Sequence, residues 1–225
     1  MSKDKPSADG RANDFAPADR PHMNARVLLL AGWLNSDDGH WQSHWERNHG
    51  WPRVLQDDWQ WPRRGDWMAR LEEAVLIDEL LDRRPVVLVA HSLGCHLIAA
   101  WAAHSKHVAR VVGALLVAPP DTERDDMPPQ LFSWCPMVRR ALPFPAQLLF
   151  SSNDPYCASD RAQALAAGWG ASATNLGPLG HINAASGLGA WEAGAARVRG
   201  LAGPCDTPFP PPAVLSSNCS HPREG

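Results

Sequence analysis

The sequence is poor in the features that mark several protein classes. Its five cysteines are scattered and include no Cys-x-x-Cys pair, so neither a disulfide framework nor a four-thiolate zinc site is expected. The net charge is only −3, which argues against a general nucleic-acid binder. No apolar run approaches the ~20 residues that span a bilayer, and the first residues contain no apolar segment typical of a secretory signal. These absences predict a soluble cytoplasmic protein that binds neither nucleic acid nor membrane.

The 225 residues fit a single domain flanked by two tails. Residues 1–24 are polar and show no helix or strand period, and residues 203–225 are rich in proline and serine. We expect both ends to be disordered. The folded domain is then expected to cover residues 25–202, without an internal repeat.

Within this domain, apolar runs of strand length alternate with helical patterns. The runs are apolar at nearly every position rather than at alternate ones, which is typical of strands buried on both faces. The predicted strands lie at 25–31, 85–90, 109–118, 146–152 and, more weakly, 171–176 and 53–56. The predicted helices lie at about 38–48, 66–82 (with Asp66 as N-cap), 94–103, 159–169 and 185–202. This alternation predicts a three-layer α/β fold around a mostly parallel sheet of about six strands.

The sequence Val-Ala-His-Ser-Leu-Gly at 89–94 directly follows an apolar strand and opens a helix. On such a tight turn the serine hydroxyl is exposed, and the next backbone N–H faces the same space. The residues two before and two after the serine must be small, and here they are Ala90 and Gly94. The pattern predicts Ser92 as a nucleophile. The alternative interpretation is a helix N-cap serine after a buried strand.

A serine nucleophile needs a base to take its proton and an acid to orient that base. On this architecture the partners follow in the order Ser, Asp or Glu, His, on loops beyond strand ends. Asp154 and His181 have this order and placement. The sequence therefore predicts Ser92, Asp154 and His181 as the catalytic residues, and Asp121, which also follows a strand end, stays open as the alternative acid.

Acyl transfer also needs two hydrogen-bond donors directed at the oxygen on which negative charge develops. The backbone N–H of Leu93 is the first predicted donor. The second is expected in the loop after the first strand, where Gly32 permits a turn and the backbone N–H of Trp33 becomes available.

Tryptophan is abundant, with eleven residues in the chain. Most of them are expected to pack in the core, because an indole buries a large area whatever its purpose. The predicted substrate-pocket residues are His40, Trp41, His91 and Trp134. His40 and His44 have the spacing of zinc ligands, but Trp41 stands where a metalloprotease helix has Glu, and no third ligand is evident. We therefore expect no metal and no cofactor.

Five stretches together resemble the YdeN / retinoblastoma-binding protein nine family of small serine hydrolases. They are LLLAGWLNSDDGHWQSHWE (28–46), VVLVAHSLGCH (86–96), ALLVAPPD (114–121), SNDPYC (152–157) and GHIN (180–183), in the order of the family. The resemblance implies a compact α/β-hydrolase fold without a large cap domain, a triad of Ser92, Asp154 and His181, and esterase-like activity. No protein partner is carried over from the family, and protein partners stay unknown. Only the segment 121–144 is placed to act as a short lid.

The predicted function is a serine hydrolase that cleaves a carboxylic ester of a small molecule through an acyl-enzyme on Ser92. Thioester and amide substrates use the same machinery and stay open. The alternative is a non-catalytic interaction protein that retains the hydrolase fold.

Overall fold

The computed structural model describes residues 25–77 and 84–203. The predicted tails lie outside the described residues, apart from Gly203, and so does the end of the helix predicted at 66–82.

The centre of the fold is a parallel sheet in which the strands are ordered as they occur in the chain. Its strands are β1 (Arg26–Leu30), β2 (Val86–His91), β3 (Val111–Val117), β4 (Ala146–Phe150) and β5 (Ser172–Asn175). Every residue of β2 is buried, as its continuous apolar sequence predicts. Among the described residues the sheet has five strands rather than about six, because the segment predicted at 53–56 makes a single bridge from Arg53 to Leu29.

Helices cover both faces of the sheet, which confirms the three-layer α/β prediction. They are α1 (Trp41–His49), α2 (Arg64–Leu76), α3 (Leu93–His104), α4 (Ser159–Trp169) and α5 (Glu192–Leu201). Side chains of α2, α3 and α4 share one core, and those of α1 and α5 share the other. The helices of the first core are the last α-helices before β2, β3 and β5. The opposite face is covered by α1 and the C-terminal α5.

Helix α2 begins before the predicted N-cap. Asp66 lies in its first turn, and Arg63 occupies the N-cap position without a side-chain hydrogen bond. The backbone N–H of Arg64 instead donates to the hydroxyl of Ser133, at 3.1 Å. Because this acceptor comes from a distant segment, the local sequence gives no sign of the earlier start.

Six fully buried tryptophans fill the two cores, and each indole N–H has an acceptor. The tryptophans are Trp41, Trp45, Trp67, Trp101, Trp134 and Trp169. Their acceptors are Ile182 O, Ala190 O, Asp58 O, Glu72 Oε2, Pro62 O and Val138 O, in that order. A buried indole without an acceptor would lose the free energy of a hydrogen bond to water. These hydrogen bonds therefore offset the cost of removing the indole N–H groups from water.

The segment 121–144 joins β3 to β4 without forming a cap domain. It is irregular except for a 3₁₀ helix at Pro129–Trp134. Thr122 Oγ1 donates to Trp134 O, and the N–H of Met137 donates to Glu123. These bonds hold the segment against itself. In the part of the chain that the structure describes, no helix is long and apolar enough to cross a membrane.

Candidate active site

Ser92 lies on a strained turn between β2 and α3. Its φ of 55° and ψ of −124° are rare for a residue with a side chain, and such strain persists only where the surroundings enforce it. The N–H of Ser92 donates to Val117 O at 2.8 Å, and Ser92 O accepts from the N–H of Cys95. A Cβ on Gly94 would lie 2.6 Å from Leu30 O, which explains why this position is glycine. The turn therefore has the geometry that the Ala-x-Ser-x-Gly pattern predicts.

The three predicted catalytic side chains form one hydrogen-bonded row. His181 Nε2 lies 2.9 Å from Ser92 Oγ, and His181 Nδ1 lies 2.9 and 3.0 Å from the two oxygens of Asp154. The Asp154 side chain is only 3% exposed and also accepts from the N–H of Tyr156 at 2.9 Å. With Nδ1–H donated to the carboxylate, Nε2 is free to accept the serine proton.

The alternative acid, Asp121, lies in a different network. Its carboxylate pairs with Arg161 at 3.0 Å and accepts from the N–H of Glu123. Arg161 also pairs with Glu123, which in turn binds Arg139. The Asp121 carboxylate is thus engaged by a guanidinium, whereas His181 is paired with Asp154.

The two predicted oxyanion donors belong to residues that line the cavity together with Ser92. Leu93 is the first residue of α3, and Trp33 lies in the loop that follows β1. Among the described residues, no hydrogen bond uses the N–H of Leu93 or of Trp33. Their role as oxyanion donors stays a prediction.

Gly32 has a different role from the one expected. The residues that take positive φ in this turn are Leu34, at 66°, and Asn35, at 68°, rather than Gly32. A Cβ on Gly32 would lie 2.7 Å from the Cβ of Ser92 and 3.1 Å from its Oγ. The glycine is required because the loop passes directly over the serine side chain.

A cavity of about 370 Å³ opens beside Ser92 and His181. One part of its wall is apolar and includes Trp33, Leu34, Met127 and Leu131. The polar part includes Asn35, Asp37, His40, His91 and Asn183. Trp41 and Trp134 do not line this cavity, because both are core residues whose indoles bind backbone carbonyls. Of the predicted pocket residues, the structure places His40 and His91 in the wall.

The rings of His40, His91 and His181 lie in contact with one another in that order, inclined by 64° and 59°. The rings of His40 and His91 are 4.6 Å apart, and those of His91 and His181 are 4.9 Å apart. His91 Nε2–H donates to the backbone carbonyl of His181 at 2.9 Å, and His40 Nδ1 accepts from the N–H of Gln42. Burial lowers the pKa of His40 to about 4 and that of His91 well below its ordinary value. Both rings are therefore neutral near pH 7.

Nothing in the site resembles a metal centre. Across 25–77 and 84–203, no group of three or more His, Cys, Asp or Glu side chains is placed to hold a metal ion. His40 uses Nδ1 to cap α1, which is a structural role rather than a ligand role.

Sequence reasoning missed the contribution of Tyr156. It is the single tyrosine of the chain, and its ring contacts that of His181 with centroids 4.6 Å apart. Its backbone N–H binds Asp154, and its side chain lines the cavity. The signal available was its position two residues after Asp154, in the same loop.

Comparison with known proteins identifies the family. The sequence matches the serine hydrolase family over residues 27–200. The chain belongs to that family. No curated protein sequence matches it.

Solved structures agree with this assignment. A protein described as a YdeN-like hydrolase from Pectobacterium atrosepticum is 30% identical to this serine hydrolase, with a TM-score of 0.66 over 79% of this chain and 90% of its own. The ydeN gene product of B. subtilis is 19% identical, with a TM-score of 0.59 over 79% and 98%. The esterase domain of a Rhodothermus marinus protein is 16% identical, with a TM-score of 0.53 over 83% and 90%. The last two show the fold alone. The predicted likeness to YdeN-type hydrolases and the α/β-hydrolase fold are confirmed.

Proposed function

We propose that this serine hydrolase cleaves the carboxylic ester of a small molecule through an acyl-enzyme on Ser92. The observation that carries the proposal is the continuous row of hydrogen bonds from Asp154 through His181 to Ser92 Oγ. The alternative interpretation of the motif is a helix N-cap serine, and capping a helix does not require this row of hydrogen bonds. Ser92 also makes no side-chain cap hydrogen bond to α3.

In the first half of the reaction, His181 Nε2 takes the proton of Ser92 as Oγ attacks the ester carbonyl carbon. The carbonyl oxygen becomes negatively charged and is bound by the N–H groups of Leu93 and Trp33. Asp154 stabilises the imidazolium that forms. The bond from carbon to the alcohol oxygen then breaks, and His181 returns its proton to the departing alkoxide, which leaves as the alcohol.

In the second half, water repeats the sequence. His181 takes a proton from water, the hydroxide attacks the acyl carbon, and the bond to Ser92 Oγ breaks as the serine regains its proton from His181. The products are the free acid and the restored enzyme. Loss of one oxyanion donor is expected to raise each barrier by about 3 kcal/mol.

The size of the cavity favours a small substrate. Its volume of about 370 Å³ lies near the lower end of the 300–1,000 Å³ that small-molecule sites occupy. The apolar wall suits a short acyl chain, and the segment 121–144 leaves the site partly open. Thioesters and amides stay open as alternative substrates of the same machinery. No cofactor is invoked, and a cytoplasmic location stays a prediction from the sequence.

A fluorophosphonate probe tests the proposal directly, because it phosphonylates activated serines. We expect the probe to label the wild type and Ser152→Ala but not Ser92→Ala. The two labelled proteins should hydrolyse p-nitrophenyl acetate faster than p-nitrophenyl octanoate, and Ser92→Ala should hydrolyse neither ester. Ser152 is a suitable control because it is an exposed serine in the Asp154 loop. Labelling that persists in Ser92→Ala would show that the nucleophile is wrong. A folded wild type that is never labelled would favour the non-catalytic interaction protein.

A further inference from the structure

The loop at 32–37 has to hold the Trp33 N–H in place although its backbone is strained. Leu34 and Asn35 both adopt left-handed φ values without being glycine. Such residues destabilise the folded state and persist only when the surrounding structure over-determines them. A strained loop that supplies a catalytic donor therefore needs a support outside itself.

Arg53 binds this loop without lining the cavity. Its side chain is only 7% exposed. One guanidinium nitrogen donates to both Asn35 Oδ1 and Ser36 O, each at 2.8 Å. The other donates to Ser43 Oγ at 2.6 Å and pairs with Glu46 at 3.0 Å. The planar guanidinium thus ties the loop to helix α1 through a fixed set of directions.

Arg53 is itself held by the sheet. Its backbone forms the isolated bridge with Leu29 of β1, and the N–H of Val54 donates to Leu29 O at 2.9 Å. The arginine does not line the cavity. Its hydrogen bonds therefore act on the site through the loop that they hold, and its charge also contributes to the lowered pKa of His40.

Gln42 of α1 extends the same support to Ser92. This glutamine is fully buried. Its Nε2 donates to Leu30 O, at 3.0 Å, and to Val89 O, at 3.4 Å, while its Oε1 accepts from Ser36 Oγ at 2.8 Å. Leu30 ends β1 before the loop, and Val89 precedes the serine turn on β2. One side chain thus joins the strand that leads to the oxyanion loop with the strand that leads to the nucleophile.

Stability alone is a weak reason for this arrangement. Removing a guanidinium from water costs several kcal/mol, and apolar side chains of similar volume often stabilise a protein equally well or better. We propose that Arg53, supported by Gln42, is a positioning residue that fixes the Trp33 N–H relative to Ser92 Oγ. This inference rests on the proposed function, because it assigns Arg53 to the oxyanion site of that reaction.

The test compares Arg53→Met with Arg47→Met and Arg53→Lys. Arg47 is a matched control because it is half exposed and donates to Asp38 O just beyond the same loop. Methionine keeps the length of the arginine stem without its donors, and lysine keeps the charge without the planar fork. Ser43→Ala, which removes one partner of Arg53, is the milder variant if Arg53→Met fails to fold.

The first readout is the rate constant for phosphonylation of Ser92 by a fluorophosphonate, because that reaction also develops charge on an oxygen in the oxyanion site. We expect Arg53→Met to lower it by about tenfold to a hundredfold, Arg53→Lys and Ser43→Ala to lower it less, and Arg47→Met to leave it unchanged. The active sites of each variant are counted by letting the phosphonylation run to completion. Per active site, kcat of Arg53→Met for p-nitrophenyl acetate should fall by the same factor, while KM stays within about threefold of the wild-type value.

The second readout is the preference for an oxo ester over the matching thionoester, whose sulfur accepts hydrogen bonds poorly. This ratio should fall in Arg53→Met and stay unchanged in Arg47→Met, whereas a merely structural loss would lower both rates together. If the wild type is phosphonylated and Arg53→Met shows the same rates and the same ester preference, the inference is overturned and the proposed function stands. A wild type that is not phosphonylated would instead overturn the proposed function.

Discussion

Substitution of Gly32 by alanine should impair catalysis through a single added methyl group. Gly32 is not in the left-handed region, so alanine can adopt its backbone conformation. The new Cβ would however lie 2.7 Å from Ser92 Cβ, 3.1 Å from Ser92 Oγ and 3.3 Å from His91 O. The perturbation is thus almost purely steric, and it falls on the nucleophile.

The size of the effect follows from these distances. Carbon atoms in contact are normally 3.5–4.0 Å apart, so the serine side chain or the loop must retreat by about 1 Å. The hydrogen bond from Ser92 Oγ to His181, now 2.9 Å, would then exceed the range of a true hydrogen bond. A misplacement of about 1 Å typically costs about a hundredfold in rate, or about 2.7 kcal/mol of barrier. Overpacking should also lower the free energy of unfolding by about 1–3 kcal/mol.

Gly39→Ala is the matched control. Its added Cβ would meet Asp37 Oδ1 at 3.5 Å and Ala184 Cβ at 3.7 Å, which are ordinary contacts. The assay measures kcat/KM for p-nitrophenyl acetate and the urea unfolding midpoint of both variants. A Gly32→Ala enzyme that folds and keeps kcat/KM within about threefold of the wild type would refute the inference that this glycine exists to make room for Ser92.

Two further predictions concern ionisable groups. Asp154→Asn should lower kcat by a factor of about 10⁴ with the fold intact, because His181 loses its carboxylate partner. Asp121→Asn should leave kcat within about threefold of the wild type in the same esterase assay. The reverse ranking would assign the acid role to Asp121. Burial lowers the pKa of His96 from 6.5 to about 4, so the unfolded chain protonates first and stability falls as pH falls from about 6.5 towards 4. His96→Gln keeps a donor for Pro120 O. Between pH 7.5 and 5 its free energy of unfolding, measured with urea, should therefore fall by about 2 kcal/mol less than that of the wild type. A pH dependence equal to that of the wild type would contradict this reasoning.

The parts of the site that the sequence predicted are those fixed by short-range rules. The small residues around Ser92 follow from the sharpness of a strand-to-helix turn, and Ala90 and Gly94 are each only two residues from the serine that they accommodate. The order of Asp154 and His181 follows from the parallel sheet, because the carboxyl ends of successive strands meet at one edge. Local pattern and topology together suffice for these positions.

The parts that the sequence did not predict depend on partners far along the chain. Trp41 and Trp134 were expected in the pocket, but their indoles bind Ile182 O and Pro62 O, at sequence separations of 141 and 72. The role of Arg53 depends likewise on Asn35 and on residues of α1, with which it shares no periodicity. No pattern within a window of residues reports such pairings, since burial and hydrogen bonding are decided only when the elements pack.

The strain in this fold is concentrated where the chemistry is proposed. Of six described non-glycine residues with positive φ, five follow the carboxyl ends of strands or adjoin His181: Leu34, Asn35, Ser92, Ala118 and Ile182. The buried neutral histidines at 40 and 91 lie at the same edge. Both features destabilise the folded state, so the well-packed tryptophan cores on the two faces must offset them. Substitutions that relieve backbone strain or remove a buried histidine at this edge should therefore raise the stability of the protein and slow the reaction. Substitutions in the tryptophan cores should lower the stability, and the molecules that remain folded should react at the wild-type rate.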